Sequence, residues 1–127
     1  MILEPGRAMV YADGNCKLQL TSPIEIFAFV PHTHDRGIMV AGYKVSKGSI
    51  TEIIRGDPKN PKMYYLPNSV RIDNGDYIHV RCTFDTTMDV ETVYMGNFLN
   101  SFINRAQHQE DIYQIENTFT FQISFLL

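Results

Sequence analysis

Glycine and proline interrupt the first 96 residues of the chain at short intervals, and this spacing constrains the fold more than any other feature of the sequence. All 8 glycines and all 6 prolines lie between Pro5 and Gly96. The segments between them are short and rich in β-branched and aromatic residues, which is typical of strands. We therefore predict an all-β fold, an antiparallel jelly-roll-like β-sandwich, rather than a parallel sheet with crossing helices.

The same punctuation places individual strands and turns. Ser46-Lys47-Gly48-Ser49 predicts a tight hairpin, and Asp73-Asn74-Gly75-Asp76 predicts a turn because asparagine and glycine tolerate a positive φ. The loop over residues 56–67 holds three prolines and is expected to be irregular. The predicted strands cover residues 8–10, 17–20, 25–34, 38–47, 49–55, 69–72 and 77–85.

Length and composition limit the classes of protein to which the chain can belong. With 127 residues, 44% of them hydrophobic and 20% charged, it fits one globular domain with its own core. The net charge of −3 offers no basic surface to phosphate, so we expect no nucleic-acid partner. No apolar run approaches the roughly 18 residues of a membrane span, and no signal-peptide pattern follows Met1.

The composition changes after Gly96. Residues 97–127 contain neither glycine nor proline. Helical spacing is present at Phe98, Leu99, Phe102, Ile103 and Ala106. From Phe119 to Leu127 the residues alternate as in a strand, and such a segment can pair with an open sheet edge or associate with a partner. We predict a sandwich domain over residues 1–96, incomplete by itself, and a divergent tail over residues 97–127.

His32-Thr33-His34 is the short sequence most suited to chemistry. On a strand, the side chains of residues i and i+2 point to the same face, and their Cα atoms lie roughly 6–7 Å apart. Two imidazoles so placed can bind one metal ion, and imidazole suits copper, zinc and iron. Apart from Glu25, residues 24–30 are apolar on both faces, so the pair marks the end of a buried strand. Two solvated histidines at a polar strand end are the alternative.

A histidine pair on a β-sandwich is also typical of cupin barrels, whose metal site adds a glutamate and a later histidine. Here Gly37-Ile38-Met39 occupies the zone of that glutamate, and His79 is the candidate for the later histidine. The apolar face of the His79 strand is made of Ile78, Val80 and Cys82. We therefore expect His79 to point outward into solvent. A cupin-like metal dioxygenase is the weaker alternative.

A wider set of residues resembles the copper type II, ascorbate-dependent monooxygenases. The stretches from Ile26 to His34 and from Val40 to Val45 carry the resemblance. It extends to Pro5-Gly6, Ala12-Asp13, Ile54-Arg55, Asp57-Pro58, Pro61, Tyr65, the stretch from Gly75 to Phe84, and Thr92 to Gly96. In all, residues 2–96 resemble the second catalytic domain of the members that hydroxylate the C-terminal glycine of peptides.

This resemblance implies a jelly-roll-like domain that faces a second copper domain across a cleft. It implies that His32 and His34 bind the copper at which O2 is activated, with a methionine thioether as third ligand. It also implies copper and ascorbate as cofactors, glycine-extended peptides as substrates, and a place in the secretory pathway. The other domain supplies electrons from its own copper, and a separate lyase step gives the peptide amide.

Several positions depart from the family pattern. Counted on from Gly96 without a gap, the methionine ligand corresponds to Ile103, the cysteine after it to Asn104, and a tyrosine near the substrate to Gln107. The arginine that grips the peptide carboxylate corresponds to Val30. The resemblance thus implies a weakened copper site with two ligands and an incomplete substrate clamp.

Three other residues are candidate substitutes for the missing methionine ligand. Met95 lies next to Gly96 and is the nearest to the expected position. Met39 follows the histidine pair but is expected to pack in the core, and His108 lies in the divergent tail. The sequence does not favour any of the three as a third ligand, and Met95 is the least unfavourable of them.

Cys16 and Cys82 are the two cysteines of the chain. In the family, their counterparts each pair with a cysteine located after Gly96, where this chain has none. We expect no disulfide and two free, mostly buried thiols, with a bond between Cys16 and Cys82 as the alternative.

Two functions from different classes follow. The first is a fragment of a copper monooxygenase that lacks the methionine ligand and the electron-donor domain, and that does not hydroxylate peptides alone. The second is a non-catalytic β-sandwich that associates through its apolar tail. A single break after Gly96 suggests a C-terminus replaced by splicing, a frame change or a gene-model error, with Met1 inside the family's domain. The chain's location stays open, since no signal peptide is visible.

Overall fold

In the part of the chain that the structure describes, ten strands form two four-stranded antiparallel sheets and one small two-stranded sheet. The computed structural model describes residues 1–33, 35–94, 112–117 and 121–126, the last two ranges as backbone strands. The strands are β1 (Ile2–Leu3), β2 (Val10–Lys17), β3 (Ile24–Thr33), β4 (Gly37–Ser46), β5 (Ser49–Gly56), β6 (Tyr64–Ile72), β7 (Tyr77–Phe84), β8 (Val93–Tyr94), β9 (Ile112–Asn117) and β10 (Phe121–Leu126). The predicted all-β antiparallel sandwich is confirmed.

The strand order of each sheet explains which residues meet. The first sheet has the order β6-β3-β10-β9, and the second has the order β2-β7-β4-β5. The short strands β1 and β8 pair with each other. In the described parts of the chain no helix is present that is long and apolar enough to cross a membrane.

The hydrophobic core lies between the two larger sheets. The first sheet contributes Ile26, Phe29 and Ile72, and the second contributes Ala12, Val40, Ile53, Ile54, Ile78, Val80, Cys82 and Phe84, all buried. Leu3 of β1 joins the same cluster. Full burial of one large aliphatic or aromatic side chain stabilises a fold by roughly 1.5–3 kcal/mol. Each sheet therefore has one inner, apolar face and one outer face that is open to other contacts.

The alternation predicted for the strand of His79 is confirmed in β7. Ile78, Val80 and Cys82 are buried, whereas Tyr77 and Arg81 are exposed. This strand lies between β2 and β4, so its inner residues occupy the middle of the core. A period of two follows directly from the pleat of a strand with one buried face.

Both predicted turns are confirmed. Lys47 and Gly48 have φ values of 48° and 79°, the pair of positive angles that a two-residue hairpin of type I′ requires. Gly75 has a φ of 88°, and the Asp76 amide donates to the Asp73 carbonyl at 3.1 Å. Here the sequence predicts the backbone well because few residues tolerate the left-handed region.

Two predicted strand boundaries were wrong. Residues 8–10 and 17–20 were assigned to separate strands, but β2 runs unbroken through Gly14, which is buried and lies opposite Val80. The strand predicted at 69–72 begins at Tyr64 and contains Pro67. Proline lacks the N–H for a ladder bond but is tolerated in an edge strand, which is the position of β6.

The tail contributes two strands to the first sheet. The strand predicted from Phe119 to Leu127 is confirmed over Phe121–Leu126, where β10 pairs with both β3 and β9. Strand β9 was not predicted. The helical spacing between residues 98 and 106 lies outside the described residues. Association of separate molecules through this segment remains a prediction.

Strand β10 supports the part of β3 that carries the first histidine. The β6 ladder ends at the pair Phe29 and Tyr64, whereas β10 continues beside β3 to Thr33. Gln122 lies opposite His32 in this register. Strand β10 is thus the described neighbour that pairs with the backbone of β3 at the candidate site.

Candidate metal centre

The candidate site lies at the C-terminal end of β3. Pro31 and Thr33 are buried, and His32 between them is exposed. Pro31 faces the opposite sheet, since its Cγ lies 2.8 Å from the point that a Cβ on Gly56 of β5 would occupy. His32 therefore points to the outer face of its sheet, where a metal ion can reach the imidazole.

The second histidine of the pair, His34, lies outside the described residues. Strand β3 ends at Thr33, and β4 begins at Gly37. Between them, Arg36 has a φ of 73° and its carbonyl accepts a hydrogen bond of 2.9 Å from the Asp85 amide. The connection between β3 and β4 is therefore short, and a hydrogen bond holds it at Arg36. Convergence of the two imidazoles on one metal ion stays a prediction.

The available donors fit part of a copper site. Among residues 1–33 and 35–94, no group of three or more histidine, cysteine, aspartate or glutamate side chains is placed to hold a metal ion. His32 offers one accessible imidazole, and the sequence offers a second at His34, a pair that suits copper. Met39 is half-buried in β4. The other positions that the sequence aligns with ligands or substrate contacts lie outside the described residues: Met95, Ile103, Asn104, Gln107 and His108.

His79 lies on the outer face of the second sheet, as predicted, but it is not simply solvated. Its Nδ1 lies 2.7 Å from the Asn15 side-chain oxygen, and its Nε2 lies 3.4 Å from an Asp13 oxygen. Its ring centroid is 5.7 Å from that of Tyr43. Because His32 and His79 point away from each other on opposite outer faces of the sandwich, the two cannot share a metal ion. A cupin-like site built on both is therefore not formed.

The neighbours of His79 form a polar ladder across β2, β7 and β4. Arg81 donates to both carboxylate oxygens of Asp13, at 2.7 and 2.9 Å. This guanidinium holds the pKa of Asp13 below its usual range, against a smaller opposing effect of burial. The guanidinium also lies 5.1 Å from the centre of the Tyr11 ring. These contacts between adjacent strands support the register of the sheet.

The two cysteines occupy different environments. Cys82 is fully buried in the core and Cys16 is partly buried on the inner side of β2, both as free thiols. Ala12 is the residue of β2 opposite Cys82, so four residues, or about 13 Å of strand, separate the Cys16 and Cys82 positions. A disulfide needs Cα atoms within about 7 Å. The alternative of a bond between these two residues is therefore excluded by the register.

We expect the two thiols to differ strongly in reactivity. Burial raises the pKa of Cys82 to about 12, with a smaller effect from Asp13. Burial also raises the pKa of Cys16, which is less enclosed. Because the thiolate is the nucleophile, iodoacetamide at neutral pH should modify Cys16 first and Cys82 only after unfolding. Mass spectrometry of native and urea-treated protein, with Cys16→Ser as control, measures the extent of modification at each cysteine. Modification of native Cys82 at the rate of Cys16 would contradict the prediction.

Comparison with known proteins decides which of the sandwich families this is. The model of the family described as copper type II ascorbate-dependent monooxygenase, C-terminal domain, matches residues 1–101. The chain belongs to the copper type II ascorbate-dependent monooxygenases. The resemblance inferred from the sequence is thereby confirmed. The match extends past Gly96, and the division into a domain and a tail at that residue stays a prediction.

Relatives within this monooxygenase family share about a third of the aligned residues. Peptidylglycine alpha-amidating monooxygenase of Rattus norvegicus is 33% identical over 96 residues, which is 75% of the chain and 10% of the relative. Peptidyl-glycine alpha-amidating monooxygenase A of Xenopus laevis is 33% identical over 100 residues, 78% of the chain and 11% of the relative. The chain thus spans about a tenth of the length of the curated relatives it matches.

Proposed function

We propose that His32 and His34 form a two-histidine copper site that serves peptidylglycine hydroxylation of the kind named in the relatives. The observation that carries this proposal is the placement of His32 on the outer face of β3 in a copper monooxygenase domain. Buried imidazoles of a core would not be available to a metal ion. Copper bound there would supply the redox chemistry for which ascorbate is the reductant in this family.

The neighbours of His32 hold the backbone from which its imidazole projects. Thr33 and Pro31 are buried on either side of His32, and β10 pairs with this stretch, so the backbone of the ligand is held by a sheet rather than a loop. Metal sites on rigid elements are more precise than sites on loops. Thr33 and Pro31 therefore fix the backbone from which the imidazole of His32 projects.

An apolar residue, Val30, lies beside His32 at the position where the family pattern has an arginine. Val30 lies two residues before His32, on the same side of β3 and roughly 6–7 Å away along the strand. Valine cannot pair with a peptide carboxylate. We propose that glycine-extended peptides are the substrate class, and that this chain holds their C-terminal carboxylate less tightly than an arginine at this position would.

The isolated chain is proposed to bind copper without turning over a peptide. The thioether position of the family falls on Ile103, which has no donor atom. A soft thioether favours Cu(I), so a site with imidazoles alone is expected to favour Cu(II) relative to the family's site. Peptide amidation, ascorbate use and a secretory location are proposed for the assembled enzyme rather than for this segment.

A copper titration of the purified chain tests the proposal. We expect the wild type to bind one Cu(II), and His32→Ala or His34→Ala to weaken binding by at least about 10-fold, since even residues that only support a ligand cost this much. His79→Ala is the matched control, because His79 lies on the other outer face and its loss should leave the affinity unchanged. Competition with a chromophoric chelator gives the dissociation constants.

Two results would contradict the copper assignment. Unchanged affinity in both His32→Ala and His34→Ala would favour a non-catalytic sandwich. Weaker binding in His79→Ala, together with a preference for ferrous iron, would favour a cupin-like site despite the geometry. Conversion of a glycine-extended peptide by the isolated chain with ascorbate would show that the third ligand is dispensable.

A further inference from the structure

The turn between β6 and β7 contains the dipeptide Asn74-Gly75, which has the chemistry for spontaneous deamidation. Asparagine is a thermolabile residue. Glycine has no Cβ, so little hinders its backbone nitrogen from reaching the side chain of the residue before it. Asn74 is exposed, and Gly75 is half-buried with a φ of 88°. Water and both reacting groups are therefore present in one surface turn.

Deamidation at this position needs only the chain and water. The Gly75 nitrogen loses its proton and attacks Cγ of Asn74. A C–N bond forms to close a five-membered succinimide, and the Cγ–Nδ2 bond breaks so that ammonia leaves with that proton. Water then opens the ring at either carbonyl. The product is aspartate, or isoaspartate when the main chain continues through the former side chain.

Two hydrogen bonds hold both reacting groups in the folded turn. The Gly75 amide donates to the Leu18 carbonyl at 2.9 Å, and the Asn74 side-chain oxygen accepts from the Leu20 amide at 2.9 Å. The attack needs a Gly75 nitrogen that is free of its proton and turned toward Cγ of Asn74. Because its hydrogen is bound by Leu18 and the Asn74 side chain is bound by Leu20, the folded turn opposes both requirements.

The residues that hold the turn are themselves fixed to the sandwich. Leu18 and Leu20 pack against the hydrophobic core, and the Leu18 amide donates to the Asp76 carbonyl at 2.9 Å. The buried Asp76 carboxylate accepts from the Asp73 amide at 2.9 Å and lies 3.1 Å from Lys44 Nζ. Separation of the turn from the two leucines therefore disturbs core packing, which costs free energy.

We propose that Asn74 is a latent deamidation site, closed while the turn contacts residues 18–20 and open once that contact is lost. The modification then marks molecules in which this end of the sandwich has come apart. The turn follows Ile72, which pairs with Ile24 at the start of β3, so it lies at the opposite end of that strand from His32. This inference does not depend on copper binding.

Mass spectrometry of the full chain measures the modification at single residues. Trypsin cleaves after Arg71 and Arg81, and Asn74 is the sole asparagine in the peptide between them. The chain is incubated at neutral pH, either folded or in guanidinium chloride, before digestion. The readout is the mass increase that accompanies exchange of an amide for a carboxyl group. A synthetic peptide of residues 72–81, with and without the denaturant, corrects for any effect of guanidinium on the reaction.

A second asparagine of the same chain is the matched control. Asn68 is exposed in the edge strand β6 but is followed by Ser69 rather than glycine. It lies in the preceding tryptic peptide, residues 63–71, where it is again the sole asparagine. Both sites are thus followed in one digest, and they differ in the residue that supplies the attacking nitrogen.

We expect Asn74 to deamidate at least about 10-fold more slowly in the folded chain than in the unfolded chain, which corresponds to an opening free energy of about 1.4 kcal/mol or more. In the unfolded chain, Asn74 should react faster than Asn68. Hydrogen exchange of the Gly75 amide, measured by NMR on the folded chain, should be slowed by a comparable factor, because the same opening releases its hydrogen from Leu18.

Three results would overturn the proposal. Equal deamidation of Asn74 in the folded and unfolded chain would show that the turn does not close the site. Slow deamidation beside rapid hydrogen exchange of the Gly75 amide would show that the bond to Leu18 is not the cause. An unfolded chain in which Asn74 reacts no faster than Asn68 would show that the dipeptide is not a deamidation site.

Discussion

Replacing Phe84 with alanine is expected to lower the free energy of unfolding by about 3–5 kcal/mol, the usual range for an aromatic residue removed from a packed core. Phe84 is fully buried at the end of β7. Its backbone lies opposite Val10 on one side and Gly37 on the other. Truncation therefore leaves a cavity at the end of the sandwich where the candidate site lies. Urea denaturation of the purified protein measures the effect.

Two comparisons on the same strand show whether the loss comes from packing. Phe84→Leu keeps most of the apolar volume and should cost clearly less than Phe84→Ala. Tyr77→Ala lies at the other end of β7 with its side chain exposed, so its effect should be small. Equal destabilisation by Phe84→Ala and Tyr77→Ala would show that Phe84 does not occupy the core position described.

The substitution Gly37→Ala is expected to destabilise the protein by about 2 kcal/mol. A Cβ at Gly37 would overlap the Thr33 hydroxyl and lie 3.0 Å from the Cβ and the methyl carbon of Thr33. Overpacking of this kind costs about 1–3 kcal/mol. The cost of this overlap exceeds the stabilisation of roughly 0.4–1 kcal/mol that alanine gives relative to glycine by restricting the unfolded chain. Chemical denaturation again gives the value.

A double-mutant cycle with Thr33→Ala tests the physical reason. Truncation of Thr33 removes the overlapping hydroxyl and the methyl group, but leaves its Cβ 3.0 Å from the new carbon. The cost of Gly37→Ala should therefore be smaller in the Thr33→Ala background than in the wild type. Strictly additive effects would show that Thr33 and Gly37 do not approach each other as described. Since these residues flank His34 in the sequence, Gly37→Ala should also weaken copper binding.

The turns and the alternating strands were predictable because each depends on neighbouring residues. Gly48 and Gly75 permit positive φ angles that few residues adopt. The outward direction of His79 followed from the buried residues on either side of it. The histidine pair of His32-Thr33-His34 was likewise proposed as a metal site from the period of two in a strand. The structure shows that His32 is exposed, and metal binding by the pair stays a prediction.

Other features could not be read from local sequence, because packing and pairing partners decide them. Gly14 indicates a turn by residue type, yet it lies inside β2 with its face toward the core. Pro67 is compatible with β6 because that strand is at an edge. The alternation from Phe119 to Leu127 predicted a strand, but it did not indicate that β10 would pair beside the strand of His32.

By itself, the sequence determined the all-β class, the turns, the family and the histidine pair, because these depend on residue type and on spacing over a few positions. The tertiary structure decided which histidine faces which side of the sandwich, and it separated His32 from His79. It also brought Arg36 to Asp89 across 53 positions of the chain. Contacts between residues so far apart depend on sheet order and on the meeting of two loops at one end of a sandwich, and no local pattern specifies either.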